Sequence, residues 1–490
     1  MNYMFLKSGT DVRGIASDLG GKSIELTNEA VCDISSAFAV WCVNKFSKPA
    51  NELKIALGHD SRITADRISE QVKSALVNAG VTVLDCGLAS TPAMFMTTVD
   101  LHTDAAIQIT ASHHPFDRNG LKFFVRSGGL EGSDITDILS LAENKEECIC
   151  ESKGSVEKIN YMKDYAAHLR DMIIREVGKG EKPLSDYNIV VDAGNGVGGF
   201  YATEVLAPLG ADVSGSQFLQ PDGMFPNHIP NPENKEAIES ICSAVKSSGA
   251  DFGVIFDTDV DRAGCVDGDG NEINRNRLIA IAAYIALGGK KGGTIVTDSV
   301  TSDGLKKYIN EDLGGVHYRY RRGYKNVINK AIELCEQGID CPLAIETSGH
   351  AALKENYFLD DGAYLATKII IELAKGTDIK KLLSTMEMPV EEEEHRFNIK
   401  TTDFRSYGEN VIASLEKFAG EKPGYIIADD NREGIRVSTP NGWFLLRLSV
   451  HDPVMPMNFE SNDFGGIKVM KQELKPFFES FTELEIPEKF

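Results

Sequence analysis

The chain has 490 residues, 42% hydrophobic and 25% charged, an ordinary globular composition that excludes a disordered or fibrous polymer. Acidic residues outnumber basic ones, 73 to 51, for a formal net charge of -22, and such a field repels nucleic acid and anionic membranes. The length predicts about three or four domains, and a phosphorylated substrate would require the basic residues to be gathered in one site.

The N-terminal MNYMFLKSGTDVRG lacks the apolar core of a signal peptide. Lys54–Leu57 reads as a strand, followed by a turn at Gly58–Arg62, a helical period through Ala75 and a strand at Val81–Leu84. Ala105–Thr110 is the next strand, and it runs into TASHHP, Thr110–Pro115. Ser112 therefore stands at a strand's C-terminal end, where α/β folds place their sites. His113 and His114 follow, and Lys122 comes ten residues after Ser112. No G-x-S-x-G elbow is present, which disfavours an acyl-transfer serine. A serine can instead carry a phosphoryl group if cations neutralise it. Alone, TASHHP is equally a surface turn with capping hydroxyls.

An acidic stretch at Glu143–Lys158 predicts a domain boundary. The cysteines, nine in number, include Cys148 and Cys150 there, with no second pair at zinc-finger spacing, so free thiols in a reducing compartment are expected. Asn188–Asp192 is a strand, and Gly194–Gly199 after it contains a G-x-G-x-x-G match. Its acidic partner would be Asp212, at the start of the next strand rather than its end, so a tight strand-to-helix turn is preferred.

Phe252–Asp257 is a strand ending in DTDVDR, Asp257–Arg262. Three carboxylates at alternate positions raise one another's pKa unless a cation joins them. Mg²⁺ suits such a set combined with a phosphate oxygen. An EF-hand is excluded, because its sixth position is Arg262 and its twelfth Gly268. A second boundary is expected past the turn Asp267–Asn271. Leu278–Leu287 is the longest apolar stretch, too short for the ~20 residues of a membrane span, and reads as a buried helix. Thr294–Asp298 and Leu343–Thr347 are strands. The second ends in ETSGH, Glu346–His350, whose carboxylate, hydroxyl and imidazole suit sugar recognition and proton handling; a helix cap with an incidental histidine accounts for it equally. MPVEEEEH, Met388–His395, interrupts the pattern and predicts a third boundary. Ile435–Val437 and Trp443–Ser449 flank Pro440-Asn441-Gly442 as a hairpin. In RLSVHDP, Arg447–Pro453, Arg447, Ser449 and His451 alternate and could clamp a phosphate, or form a polar edge strand.

The expected fold is α/β: three similar α/β domains with mixed sheets plus a smaller C-terminal α+β domain around a central cleft. The expected domains are residues 1–155 with the serine loop, 156–270 with the metal loop, 271–388 with the sugar loop and 389–490 with the phosphate loop.

These four loops, with GTDVRG at Gly9–Gly14 and PDGMFPNHIPNP at Pro221–Pro232, resemble the α-D-phosphohexomutase family over essentially the whole chain. The resemblance implies a phosphoserine at Ser112 and one Mg²⁺ on Asp257, Asp259, Asp261 and the seryl phosphate. It implies sugar binding by Glu346 and Ser348, with Gly323, Tyr324 and Lys325 nearby, and a distal phosphate loop of Arg447, Ser449 and His451. Arg13, His113, Lys122, Arg262 and His350 match positions around the reacting phosphate or sugar, Lys122 and His350 as acid/base candidates. His114 stands where many members have Asn, and His451 and Asp452 replace the usual Thr-Glu of the last loop, which bears on sugar choice. The implied enzyme interconverts hexose 1- and 6-phosphates of glucose or mannose through a bisphosphorylated intermediate, with a glucose 1,6-bisphosphate-type activator, in the cytoplasm, as monomer or dimer. Phosphoglucosamine mutase, an aspartyl-nucleophile phosphatase on Asp257 and a non-catalytic sugar-phosphate sensor are the alternatives.

Overall fold

The computed structural model describes residues 2–148, 152–449 and 452–490. The chain folds into two units, Met1–Asn274 with Ser348–Lys380, and Arg275–Thr347 with Lys381–Phe490.

The first unit is built on two principal sheets. In the larger, the strands run in the order Lys7–Ser8, Asp11–Ile15, Arg118–Val125, Ala105–Ile109, Lys54–His59, Thr82–Leu88 and Val156–Lys158, with Gly128–Gly129 paired to Arg118–Val125. The central strands are parallel and their short apolar runs are buried on both faces, as parallel strands between helices require. Helices Asn28–Phe46, Ala65–Asn78 and Gly132–Glu143 bury one such face through Ile34, Phe38, Ile68, Val72 and Ile138 against Ile55, Leu57, Ile107 and Phe123. Arg118–Val125 returns antiparallel, with Lys122 opposite Gln108. That return converts the ten-residue gap between Ser112 and Lys122 into spatial proximity.

In the second sheet the order is Glu272–Ile273, Ala263–Asp267, Phe252–Phe256, Ile189–Asp192. Phe252–Phe256 and Ala263–Asp267 form an antiparallel hairpin whose loop is Asp257–Arg262. Helix Gly362–Lys375 packs on helix Tyr161–Val177, and its N-cap, Asp361, accepts from the buried Tyr165 hydroxyl at 2.7 Å.

The second unit holds three parallel strands, Val316–Arg319, Thr294–Thr297 and Leu343–Ile345, beside the buried helix Asn276–Leu287. It also holds a six-stranded sheet in the order Ile426–Ile427, Ile435–Thr439, Gly442–Leu446, Val454–Ser461, Glu391–Ile399, Leu484–Glu485. Phe397, Phe444, Phe459, Met470 and Phe478 are its core under helices Phe404–Glu421 and Gly466–Phe478.

Three local expectations shift. The acidic run that interrupts the pattern near Met388 is a nine-residue strand, Glu391–Ile399. Its Glu391 carboxylate accepts from the Gly465 and Ile467 amides, anions being favoured at a helix N-terminus. Val156–Lys158, placed by sequence in the second domain, pairs with the first sheet. The hairpin closes at Thr439 opposite Gly442, so Pro440 and Asn441 are its two loop residues. The eight described cysteines are free thiols; Cys150 lies outside the described residues. Among the described residues no helix is long and apolar enough to cross a membrane.

Candidate active site

Ser112 follows the buried strand Ala105–Ile109 and is itself 4% exposed. Its φ is +50°, a left-handed conformation that costs a non-glycine residue about 1 kcal/mol or more. The surrounding bonds hold it there. Its amide donates to Thr110 Oγ1 at 2.8 Å, and its hydroxyl donates to Asp257 Oδ2 at 2.9 Å. Arg262 Nη2 lies 3.5 Å from the same hydroxyl.

Asp257, Asp259 and Asp261 converge in the loop of the second sheet's hairpin, all three buried, with one oxygen of each within 4.8 Å of the others. Val260 between them has φ +67°, an outlier for a β-branched residue; it turns the alternate carboxylates inward. Burial, then Asp261 and Asp259, push the Asp257 carboxyl well above the usual range. Burial also raises Asp261, but Lys122, His350 and Arg262 outweigh it and hold that carboxyl below the usual range. Lys122 Nζ donates to Asp259 at 3.0 Å and to Asp261 at 2.6 Å. The other oxygen of each, Asp259 Oδ1 and Asp261 Oδ1, is buried without a hydrogen-bond partner. Buried acceptors of this kind are rare. An all-oxygen set with two unmet carboxylate oxygens beside a serine hydroxyl fits a hard divalent cation.

The cations around this loop are themselves fixed. Arg262 donates to Asp257 Oδ2 through Nε at 3.3 Å and to Asn231 Oδ1 at 3.1 Å. It also donates to His113 Nδ1 at 2.7 Å. Burial and then Arg262 push the His113 imidazolium down to about 2, so that ring is the neutral acceptor. His114 stacks on it at 5.2 Å. Arg13 pairs with Asp11 at 2.7 Å, and its charge lowers both histidines. His350 bridges to Arg262 through its backbone and lies 2.5 Å from Asp360 and 3.9 Å from Asp261. Burial pulls the imidazolium down, but Asp360 and Asp261 overcome it and hold it up to about 9. The structure thus brings Ser112, His113, Lys122, the three aspartates, Arg262 and His350 together within one unit.

Of the other sequence-derived residues, Arg13 and His114 lie in the first unit with Ser348, and Glu346, Gly323, Tyr324, Lys325, Arg447 and Ser449 lie in the second. Glu346 is buried and accepts from the Gly323 amide at 2.5 Å, at a residue with φ +117° that glycine alone tolerates well. Tyr324 and Lys325 open helix Tyr324–Glu336. Thr347 donates both amide and hydroxyl to buried Asp298. Arg447, 9% exposed, follows strand Gly442–Leu446, and burial pushes its guanidinium down despite Glu433. Ser449 Oγ accepts from the Asp452 amide at 3.3 Å. His451 lies outside the described residues. Ser348 is buried in the first unit.

Several functional-looking groups escaped sequence reasoning. Thr91, at the start of helix Thr91–Asp100, donates to Asp259 Oδ2 at 2.5 Å. Asp360 orients His350. A Cβ on Gly196 would lie 2.6 Å from the Thr258 carbonyl, so the glycine run after Asp192 lets one turn approach the carboxylate loop and is not a dinucleotide cradle.

Three family models match in order: the phosphoglucomutase/phosphomannomutase alpha/beta/alpha domain I over residues 7–148, domain II over 163–270 and domain III over 274–389. The chain is 31% identical over 482 residues to a phosphoglucomutase of Neisseria gonorrhoeae, covering 97% of each. The chain belongs to the phosphoglucomutase/phosphomannomutase family. It is accordingly an isomerase of the phosphotransferase kind. A phosphomannomutase/phosphoglucomutase of Pseudomonas syringae pv. tomato is 30% identical over 92% of this chain and 90% of that protein. The crystal structure of a family protein from Burkholderia thailandensis superposes with a TM-score of 0.81 at 26% identity, covering 99% of this chain and 100% of the other.

Proposed function

We propose that the protein interconverts hexose 1-phosphates and hexose 6-phosphates of glucose and mannose through phosphorylated Ser112 and a bisphosphorylated sugar. The observation that carries this is the Ser112 hydroxyl 2.9 Å from Asp257, inside a buried cluster of carboxylates and fixed cations. A phosphoryl group on Ser112 would enter that cluster. Asp257, Asp259, Asp261 and a seryl phosphate oxygen would hold one Mg²⁺, which when bound neutralises charge on the phosphoryl oxygens.

The first half-reaction breaks the bond from phosphorus to Ser112 Oγ and forms one to the free sugar hydroxyl, whose proton must leave. The base that takes it must start neutral, which Lys122 can be only as the free amine, while His350, an imidazolium at the outset, is the candidate that gives a proton to the departing Ser112 Oγ. In the second half-reaction the other phosphate returns to Ser112 Oγ and the isomerised monophosphate departs. Such a transfer asks for positioning and charge neutralisation above all. Arg262 supplies a fixed positive charge beside Oγ, while Arg13 and His113 shape its surroundings. Glu346, Ser348, Gly323, Tyr324 and Lys325 are assigned to the sugar, and Arg447, Ser449 and His451 to the phosphate that is not reacting. A glucose 1,6-bisphosphate-type activator would charge Ser112 at the outset.

The test is a coupled assay on glucose 1-phosphate, mannose 1-phosphate and glucosamine 1-phosphate, with intact mass recorded for one added phosphate. Turnover of the first two and a phosphate on Ser112 are expected. Release of inorganic phosphate without isomerisation would replace this reading with a phosphatase, and turnover of the glucosamine ester alone would reassign the sugar.

A further inference from the structure

The Arg62 side chain is 0% exposed, and its carboxylate partner is the equally buried Asp60, 3.4 Å from Nε. Burying a guanidinium is costly unless its donors are met. Here four are met, by main-chain carbonyls of a single loop. Nη1 donates to Pro115 O at 2.7 Å and to Arg118 O at 2.8 Å. Nη2 donates to His114 O at 2.6 Å and to Ser112 O. Asp60 closes the ring: it accepts from the Arg62 amide and from the Thr110 hydroxyl, and Thr110 Oγ1 accepts from the Ser112 amide.

We propose that Arg62 is the positioning residue for Ser112: its forked guanidinium fixes the main chain of residues 112–118 and so holds the serine in its left-handed conformation, with Oγ aimed at the carboxylate loop. The claim rests on the mutase reading above. It also accounts for the Pro221–Phe225 stretch, which the chemistry leaves without a role. The Phe225 ring lies 5.3 Å from the Arg62 guanidinium carbon. A Cβ on Gly223 would lie 2.4 Å from the Ser61 carbonyl and the Ile63 amide, so that loop seats directly on the Arg62 backbone. Arg62 is thereby held from behind while it grips the serine loop in front.

A lysine keeps the charge but presents a single nitrogen, and cannot reproduce the planar fork. Full-length wild type, Arg62→Lys and the core control Ile34→Val are compared in the coupled assay with glucose 1-phosphate below their melting temperatures. Misplacing a reacting atom by about 1 Å costs about 100-fold in rate, so Arg62→Lys should lose about that factor in kcat, with KM moving by less than about threefold. Ile34→Val should lower the melting temperature without that split. Should Arg62→Lys not accumulate as folded protein, Asp60→Asn, which removes the counter-charge of the guanidinium, is held to the same criterion. Folded variants retaining kcat within about threefold of wild type overturn the positioning role while the mutase reading stands. A wild type that turns over no hexose phosphate removes both.

Discussion

The two units arrange their charges differently. In the first, like charges are pressed together: Asp257, Asp259 and Asp261 face one another, and two of their oxygens have no hydrogen-bond partner. In the second, unlike charges are interleaved. Arg319 and Arg436 both donate to Asp303, at 2.7 and 2.9 Å, Arg436 stacks on Trp443 with 3.4 Å from guanidinium carbon to ring centre, and Arg432 stacks on Tyr318 at 3.9 Å. The first arrangement is unfavourable until a cation and a phosphoryl group complete it. In the second, these arginines already have their carboxylate and ring partners as folded. The proposed chemistry falls on the cluster that is electrostatically unfinished.

The sharpest way to break this contrast is at its centre. Ser112→Ala should lose at least about 10³-fold in kcat and carry no added phosphate by intact mass; a variant with full turnover would remove the mechanism. Next, Asp257→Asn relieves the repulsion and should separate stability from activity. In chelator its melting point should rise, by the equivalent of about 1 kcal/mol. Turnover should fall about 100-fold. Wild type, in contrast, should gain stability on adding Mg²⁺ by mass action. A drop in melting point for Asp257→Asn in chelator would contradict the idea of an unfinished cluster.

In the second unit, Arg447→Ala should weaken the hold on the distal phosphate, raising KM for glucose 1-phosphate about tenfold with a smaller change in kcat. Steady-state kinetics read both. The smallest effect concerns Glu460, whose carboxyl accepts from Trp443 Nε1 at 2.7 Å. Burial foremost, with Glu392 and Asp303 acting in the same direction, pushes it up to about 8 against the pull of Arg436. The folded state then binds the proton more tightly than the unfolded one. Its contribution is complete below the ordinary glutamate pKa and is lost as pH rises toward 8. Glu460→Gln should flatten that decline, seen as a smaller fall in melting temperature between about pH 5 and 8; an unchanged pH profile would show that Glu460 is already ionised there.

The loops that carry the proposed chemistry were legible because each is a burst of polar residues closing an apolar run, a pattern contained in ten or so neighbouring residues. The DTDVDR carboxylates pointed to a cation this way, whereas Ser112 and ETSGH stood level with ordinary turns until the family resemblance gave them roles. The acidic run at Glu391–Glu394 was readable only as a break in the pattern; that its four glutamates form a strand was not, because that depends on the six-stranded sheet that pairs their backbone and on Lys471, which meets Glu393 at 2.7 Å.

From its sequence alone the protein's class of fold, the serine proposed to react and its trio of carboxylates could be named, since hydrophobic period and polar interruption are local properties of a chain. Only the folded structure decided which groups hold these in place. Thr91 reaches Asp259 across 168 residues and Arg62 reaches Ser112 across 50. Bonds between such distant positions leave no periodic trace in the amino-acid order, because they exist only once strands and helices have packed and excluded water from the groups they join.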